Sequence, residues 1–122
     1  MEQNREIIQL TKAHRGGEKS RTFSGRPEGK DVRKDLKLDD KDNDAKTYVI
    51  QMPDDTTSFN PSFYLGLFFD SIKALGGMEN FSQKYTISLS NMEEKLKAII
   101  QENLDECVRK ANNEYNDLTG LD

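Results

Sequence analysis

Residues 59–69, FNPSFYLGLFF, run from a polar Asn-Pro-Ser step straight into the most apolar stretch of the chain. Asn60 is a residue type that caps helices and Pro61 suits a first helical turn, so the pattern predicts a helix from Pro61 to Leu75. At 100° per residue, Tyr64, Phe68, Ile72 and Leu75 share one line, and Phe63, Leu65, Leu67 and Phe69 widen the apolar arc to roughly 240°. Gly66, Asp70 and Lys73 face the other way. An arc this wide exceeds what one sheet face covers. Either the sheet and a second helix bury it together, or a partner covers part of it, a second copy of the chain included; Phe63, Leu67 and Phe69 are the candidates for that partner or dimer surface. Because Asn60 and Pro61 can start the helix by themselves, the hydroxyl of Ser62 is left free in the first turn. A phosphate there would be favoured by the helix dipole and opposed by Asp54 and Asp55 if those fold close.

On either side of this helix the periodicity changes to that of strands. REIIQLT, TYVIQM and YTISLS are β-rich runs, the last with Tyr85, Ile87 and Leu89 alternating. Arg15-Gly16-Gly17 breaks the first run, and EKSRTF is expected to return across it as a hairpin. SGRPEGKDVRKDLKL reads as a short, solvent-facing helix. Ser24, Pro27 and Glu28 are the residue types of its start, and Val32, Leu36 and Leu38 form its apolar stripe. DDKDNDAK reads as a solvated acidic loop. Gly76-Gly77 closes the Phe-rich helix, and MENF adds one turn after it. Asn91 is expected to cap the longest helix, which carries Met92, Leu96, Ile99, Ile100, Leu104, Cys107, Val108, Ala111 and Tyr115 at steps of three and four. The tail after Asn116 is expected to fray. No internal repeat is visible. Strand and helix alternate, which is the order of an α/β layer fold: a mostly parallel or mixed sheet of three to four strands with helices covering it.

Composition bounds what such a chain does. Its 122 residues suit a single domain over 1–122, with a core at about 4–115, and no Pro/Gly/Ser-rich linker divides them. Mean hydropathy is −0.87, yet the apolar residues are gathered in periodic blocks, which argues for a small folded core with polar ends. No run reaches the roughly 18 apolar residues of a membrane span, and MEQNREIIQL lacks the layout of a signal peptide, so the expected setting is cytoplasmic. The net charge of −4 is divided along the chain: residues 1–37 hold ten Lys/Arg against six Asp/Glu, and residues 38–122 hold eight against sixteen. Any anion-binding surface is therefore expected in the first third.

The chemistry-bearing residues do not assemble into a catalytic set. A single His14 beside a glycine turn offers neither a nucleophile system nor a Cys/His zinc site and reads as a solvated loop residue. Cys107 lies on an apolar helical stripe and reads as core filler. Asp40, Asp42 and Asp44 alternate like the start of a calcium loop, but Ala45 stands where the turn needs Gly and Gln51 where a bidentate Glu belongs. GRPEGKD resembles a P-loop with one residue missing and with Asp31 in place of the magnesium-holding Ser/Thr. Neither a metal nor a cofactor is implied, and the expectation is a protein that is not an enzyme. A weaker anion or partner site survives, with Arg21, Arg26, Lys30 and Arg33 clustered where a helix begins. Nucleic acid fits it poorly, since the chain is acidic and no aromatic residues interleave the basic stretch.

Arg26, Gly29, Lys30 and Arg33 opening one helix, then the apolar strand TYVIQM, then Pro61, Ser62 and Phe63 opening an apolar helix, resemble the STAS-like family of small bacterial and mobile-element proteins, a family without a settled function. The resemblance covers roughly residues 20–110 and implies a STAS-like α/β fold. It is also similar, more distantly, to the STAS domains of anti-anti-sigma factors, in which a serine at the start of the helix after a central strand is phosphorylated by a partner kinase. By position Ser62 is that serine, although Asn60, Pro61 and Phe63 replace the Asp, Ser and Gly usual around it. What the resemblance implies is a non-enzymatic regulatory or accessory module that binds a protein, with a kinase-like ATPase or sensor as partner. The rival expectations are anion or nucleic-acid binding around Arg26, and a phage or mobile-element inhibitor or accessory protein.

Overall fold

A computed structural model describes residues 5–120. Three parallel strands, β1 (Arg5–Gln9), β3 (Thr47–Gln51) and β5 (Tyr85–Ile87), form a sheet in the order β1-β3-β5. Two short strands, β2 (Thr22–Phe23) and β4 (Ser58–Phe59), form a separate parallel pair. The helices are α1 (Arg26–Leu36), α2 (Leu38–Asp42), α3 (Pro61–Leu75), α4 (Met78–Lys84) and α5 (Glu94–Thr119). The fold is α/β, with a small mostly parallel sheet and helices over it.

Period-two alternation sorts the sheet residues. Ile8 and Leu10, Tyr48, Ile50 and Met52, and Tyr85 point into the core and are buried. The opposite row, Ile7, Val49 and Thr86 in register, is left exposed or half-buried, with Ile7 65% exposed. Helices thus cover one face of this sheet, which is why its strands alternate and are not continuous apolar runs.

The expected hairpin is absent. Gly16 and Gly17, at φ of 101° and 113°, close a short 3-10 turn over Ala13–Arg15, and the chain then leaves the edge of β1. Its next extended residues pair with β4, Thr22 with Ser58 and Phe23 with Phe59. That pairing discloses a repeat of architecture that the sequence hides. From β1 and again from β3 the chain makes a short strand, a long helix and a short helix before rejoining the sheet, and the two short strands and two long helices lie side by side.

The long helices meet backbone to backbone. A Cβ on Gly29 would stand 2.3 Å from the Phe63 carbonyl oxygen, and one on Gly66 would stand 2.1 Å from that of Arg26. Only glycine permits this approach. α1 therefore buries Gly29, Val32 and Arg33 on one side, while the other side faces solvent as expected. α3 lies against α1, α2, α4 and α5, and its wide apolar arc is consumed inside the molecule. Aromatic rings run through that core from Phe23, Phe59 and Phe63, with centroids 5.0–5.4 Å apart, to Phe68, Phe81 and Tyr85, at 5.1 and 5.3 Å.

Three boundaries differ from expectation. DDKDNDAK is not all loop, since Leu38–Asp42 is helical and Asp42 is buried. Asn91 does not cap α5: its side-chain amide donates to the Met52 carbonyl at 3.0 Å, and the helix begins at Glu94. The same helix continues to Thr119 with no fraying at Asn116. No helix among the described residues is long and apolar enough to cross a membrane.

Candidate functional site

The two motifs singled out in the sequence come together, because the glycine contact draws the starts of α1 and α3 side by side. The Gly25 N–H donates to Ser62 Oγ at 3.1 Å, and Ser62 is exposed. Neither helix start is capped by a side chain. Asn60, expected to do so, instead accepts a hydrogen bond from Ser58 Oγ at 2.9 Å on its amide oxygen. Pro61, with its fixed φ, and the Tyr64 N–H on the Asn60 carbonyl at 3.1 Å set the start of α3. Ser62 is thus a tie between two helices. Asp55, feared as a neighbour of a phosphate, is held by Arg15 at 2.8 Å, and this pairing keeps its carboxyl below the usual range.

The four basic candidates separate. Arg21 is exposed and lies 3.9 Å from Asp55. Arg26 makes a two-pronged pair with Glu114 on α5, at 2.7 and 3.2 Å, and its guanidinium sits 5.6 Å from the centroid of the Phe69 ring. Its bond to Glu114 outweighs burial and raises its pKa, and lowers that of Glu114. Lys30 is exposed. Arg33 is not free on the surface: its side chain is 7% exposed. Burial alone would lower its pKa, but the hydrogen bonds it donates to Asp39 and Asp42 raise it overall. Phe63 and Leu67 are 0% exposed and Phe69 is 6%, so none of the three offers a surface to a partner or to a second copy. Their burial follows from the glycine contact, which seats α1 on the side of α3 that a partner would have covered.

Sequence reasoning missed the polar cluster beneath this region. Asp42 Oδ1 accepts from Ser71 Oγ at 2.7 Å and from Tyr85 Oη at 2.6 Å, while Oδ2 accepts from Arg33 Nη2 at 2.8 Å. The signal was available: Ser71 lies inside the apolar arc of α3, where a polar residue needs a partner. Asp44 points elsewhere, onto Lys84 at 2.8 Å and the Tyr48 hydroxyl. Burial works against its charge, but those bonds prevail and hold its pKa at about 2. The alternating aspartates therefore diverge and do not form one ligand set. His14 is half-buried and held in place: its Nδ1 accepts from the Thr11 N–H at 3.1 Å and its Nε2 lies 2.8 Å from Asp35. Cys107 is buried, its thiol 3.6 Å from the Phe59 carbonyl, and burial pushes its pKa up to about 12.

No family model matches this chain, and no curated protein or solved structure matches it either.

Proposed function

We propose that this protein is a non-enzymatic interaction module whose partner-binding surface is the paired start of α1 and α3, with Ser62 as its modifiable residue. One observation carries the reading. Ser62 is exposed, and its hydroxyl holds the Gly25 N–H at 3.1 Å, so a change at this one atom alters the joint between two helices. A phosphate on Ser62 would sit at two uncapped helix starts, whose partial positive charges favour an anion. It would add nearly two negative charges to a surface that a partner reads. The two short motifs that resemble the STAS-like family lend the reading its class of partner, a kinase-like ATPase or sensor.

The experiment is affinity capture from the native host with wild type, Ser62→Ala and Ser62→Asp as baits, joined to mass spectrometry of the protein itself. The expected outcome is a partner whose retention differs between the Ala and Asp baits, with phosphate found on Ser62. Equal retention on both would end the switch reading. Anion binding around Arg26 has less support, because Arg26 is already paired with Glu114.

A further inference from the structure

Where α1, α2 and α3 meet lies a cleft of about 400 Å³, bordered by Lys30, Arg33, Lys34 and Lys37 and by three carboxylates, Asp39, Asp40 and Asp70. Arg33 forms its floor, and its five N–H donors are all assigned. Nη1 donates to the Leu67 carbonyl at 3.0 Å and to Ser71 Oγ at 2.7 Å, and Nη2 donates one hydrogen to Asp42 at 2.8 Å. Those bonds fix the guanidinium plane. What remains is its outward edge, the Nε–H and the second Nη2–H, and both converge on one oxygen of Asp39, at 3.1 and 2.6 Å.

Of the three carboxylates around this guanidinium, Asp70 stands off at 4.0 Å from Nε and is tied to Lys73 at 3.2 Å, and the two that accept hydrogen bonds are not equivalent. Asp42 is 2% exposed and is the buried counter-charge that Arg33 needs. The Asp39 side chain is 86% exposed, so its pairing is of the weakly held surface kind. It occupies the place where the planar edge of an arginine receives an oxyanion from outside. Around that place stand three exposed lysines, Lys30 and Lys34 one turn apart on α1 and Lys37 just past its end. Lys37 is held at φ 56°, a left-handed conformation that glycine would adopt at lower cost, and it keeps an ammonium at the rim.

We infer that the outward edge of Arg33, with Lys30, Lys34 and Lys37, is a binding site for a phosphate group, and that Asp39 is an internal carboxylate which the phosphate displaces. A carboxylate brings one negative charge to the edge and a phosphate ester brings nearly two, so the lysines favour the exchange. The displaced Asp39 side chain returns to water. One fork and one short cleft suit a single phosphate or diphosphate. The site is separate from Ser62, so either reading can fail alone.

Calorimetric titration of the full chain at low salt tests the assignment, with inorganic phosphate, a nucleoside diphosphate and a phosphoserine peptide as probes. Wild type should bind at least one probe weakly. Asp39→Ala, and Asp39→Asn as a shape-conserving second variant, should bind the same probe about tenfold more tightly, as expected when an internal competitor is removed. Lys34→Ala with Lys37→Ala should weaken binding by a similar factor, and added salt should weaken it further. The probe with the greatest gain identifies the source of the phosphate. The assignment is overturned if no probe binds either Asp39 variant, if those variants bind no more tightly than wild type, or if the double lysine variant binds unchanged.

Discussion

Gly66→Ala decides whether α1 and α3 are held by direct backbone contact. The new methyl group would lie 2.1 Å from the Arg26 carbonyl oxygen and 3.0 Å from the Lys30 nitrogen. Both are backbone atoms inside a helix, so neither can swing aside as a side chain would. Relief requires the helices to part by roughly 1 Å, which loosens Val32, Phe63 and Leu67 in a close-packed interior. Overpacking of this kind costs about 3 kcal/mol or somewhat more where backbone must move. Alanine returns about 1 kcal/mol through its better helix propensity. The net expectation is a loss of about 2–3 kcal/mol. In urea unfolding followed by circular dichroism, a slope of about 2 kcal/mol/M turns that loss into a midpoint lower by roughly 1–1.5 M. Gly29→Ala should act alike, and the double variant should cost less than the sum of the two, since one separation relieves both clashes. Helix propensity alone predicts the opposite sign, so an unchanged or raised midpoint for Gly66→Ala would refute the contact.

Arg33→Met leaves Asp42 buried without its cation and should cost about 3–5 kcal/mol in the same unfolding assay, while Arg33→Lys should recover only part of it. Asp44 has a folded pKa of about 2, below the unfolded value near 3.8. Its contribution is therefore complete above about pH 4 and lost as pH falls toward 2, and Asp44→Asn should flatten acid unfolding in that window. Cys107, buried and with its thiol raised to about 12, should react with a thiol reagent only under denaturant; ready labelling of the native protein would contradict its placement. Ser62→Ala should cost at most about 1 kcal/mol, because the exposed Gly25 N–H can take a water instead.

Regular elements were legible where periodicity was strong. The alternation of YTISLS turns Tyr85 and Leu89 inward, with Ile87 half-buried and the strand itself ending there, and the breadth of the α3 arc calls for burial on more than one side or for a partner. What could not be read is which surface answers which. EKSRTF has the composition of a returning strand, but its partner is residues 58–59, a long-range choice fixed by how the two strand-helix units dock. Gly66 looks like the polar side of α3, whereas its lack of a side chain is what lets α1 close over it. Asp42 sits in a run of six charged or amide residues from 39 to 44, and nothing local marks it as the one that turns inward; Ser71 and Tyr85, far along the chain, do.

The motif that drew attention to α1 divides by face. Arg26, Gly29 and Arg33, at steps of three and four, all look toward the neighbouring helices: Arg26 to Glu114 on α5, Gly29 to the α3 backbone, Arg33 to Ser71 on α3 and Asp42 on α2. Each of the three therefore has an architectural reason for its residue type, and a motif built from them specifies helix packing before it specifies binding. Lys30, Lys34 and Lys37 have no such reason, since they are exposed and the packing of α1 is complete without them. Exchanging all three for glutamine should therefore leave the urea midpoint within about 0.5 kcal/mol of wild type, as for ordinary surface changes, while abolishing phosphate binding. A large loss of stability in that triple variant would place the lysines among the packing residues and remove the basis for treating the outer face of α1 as a surface kept for a ligand.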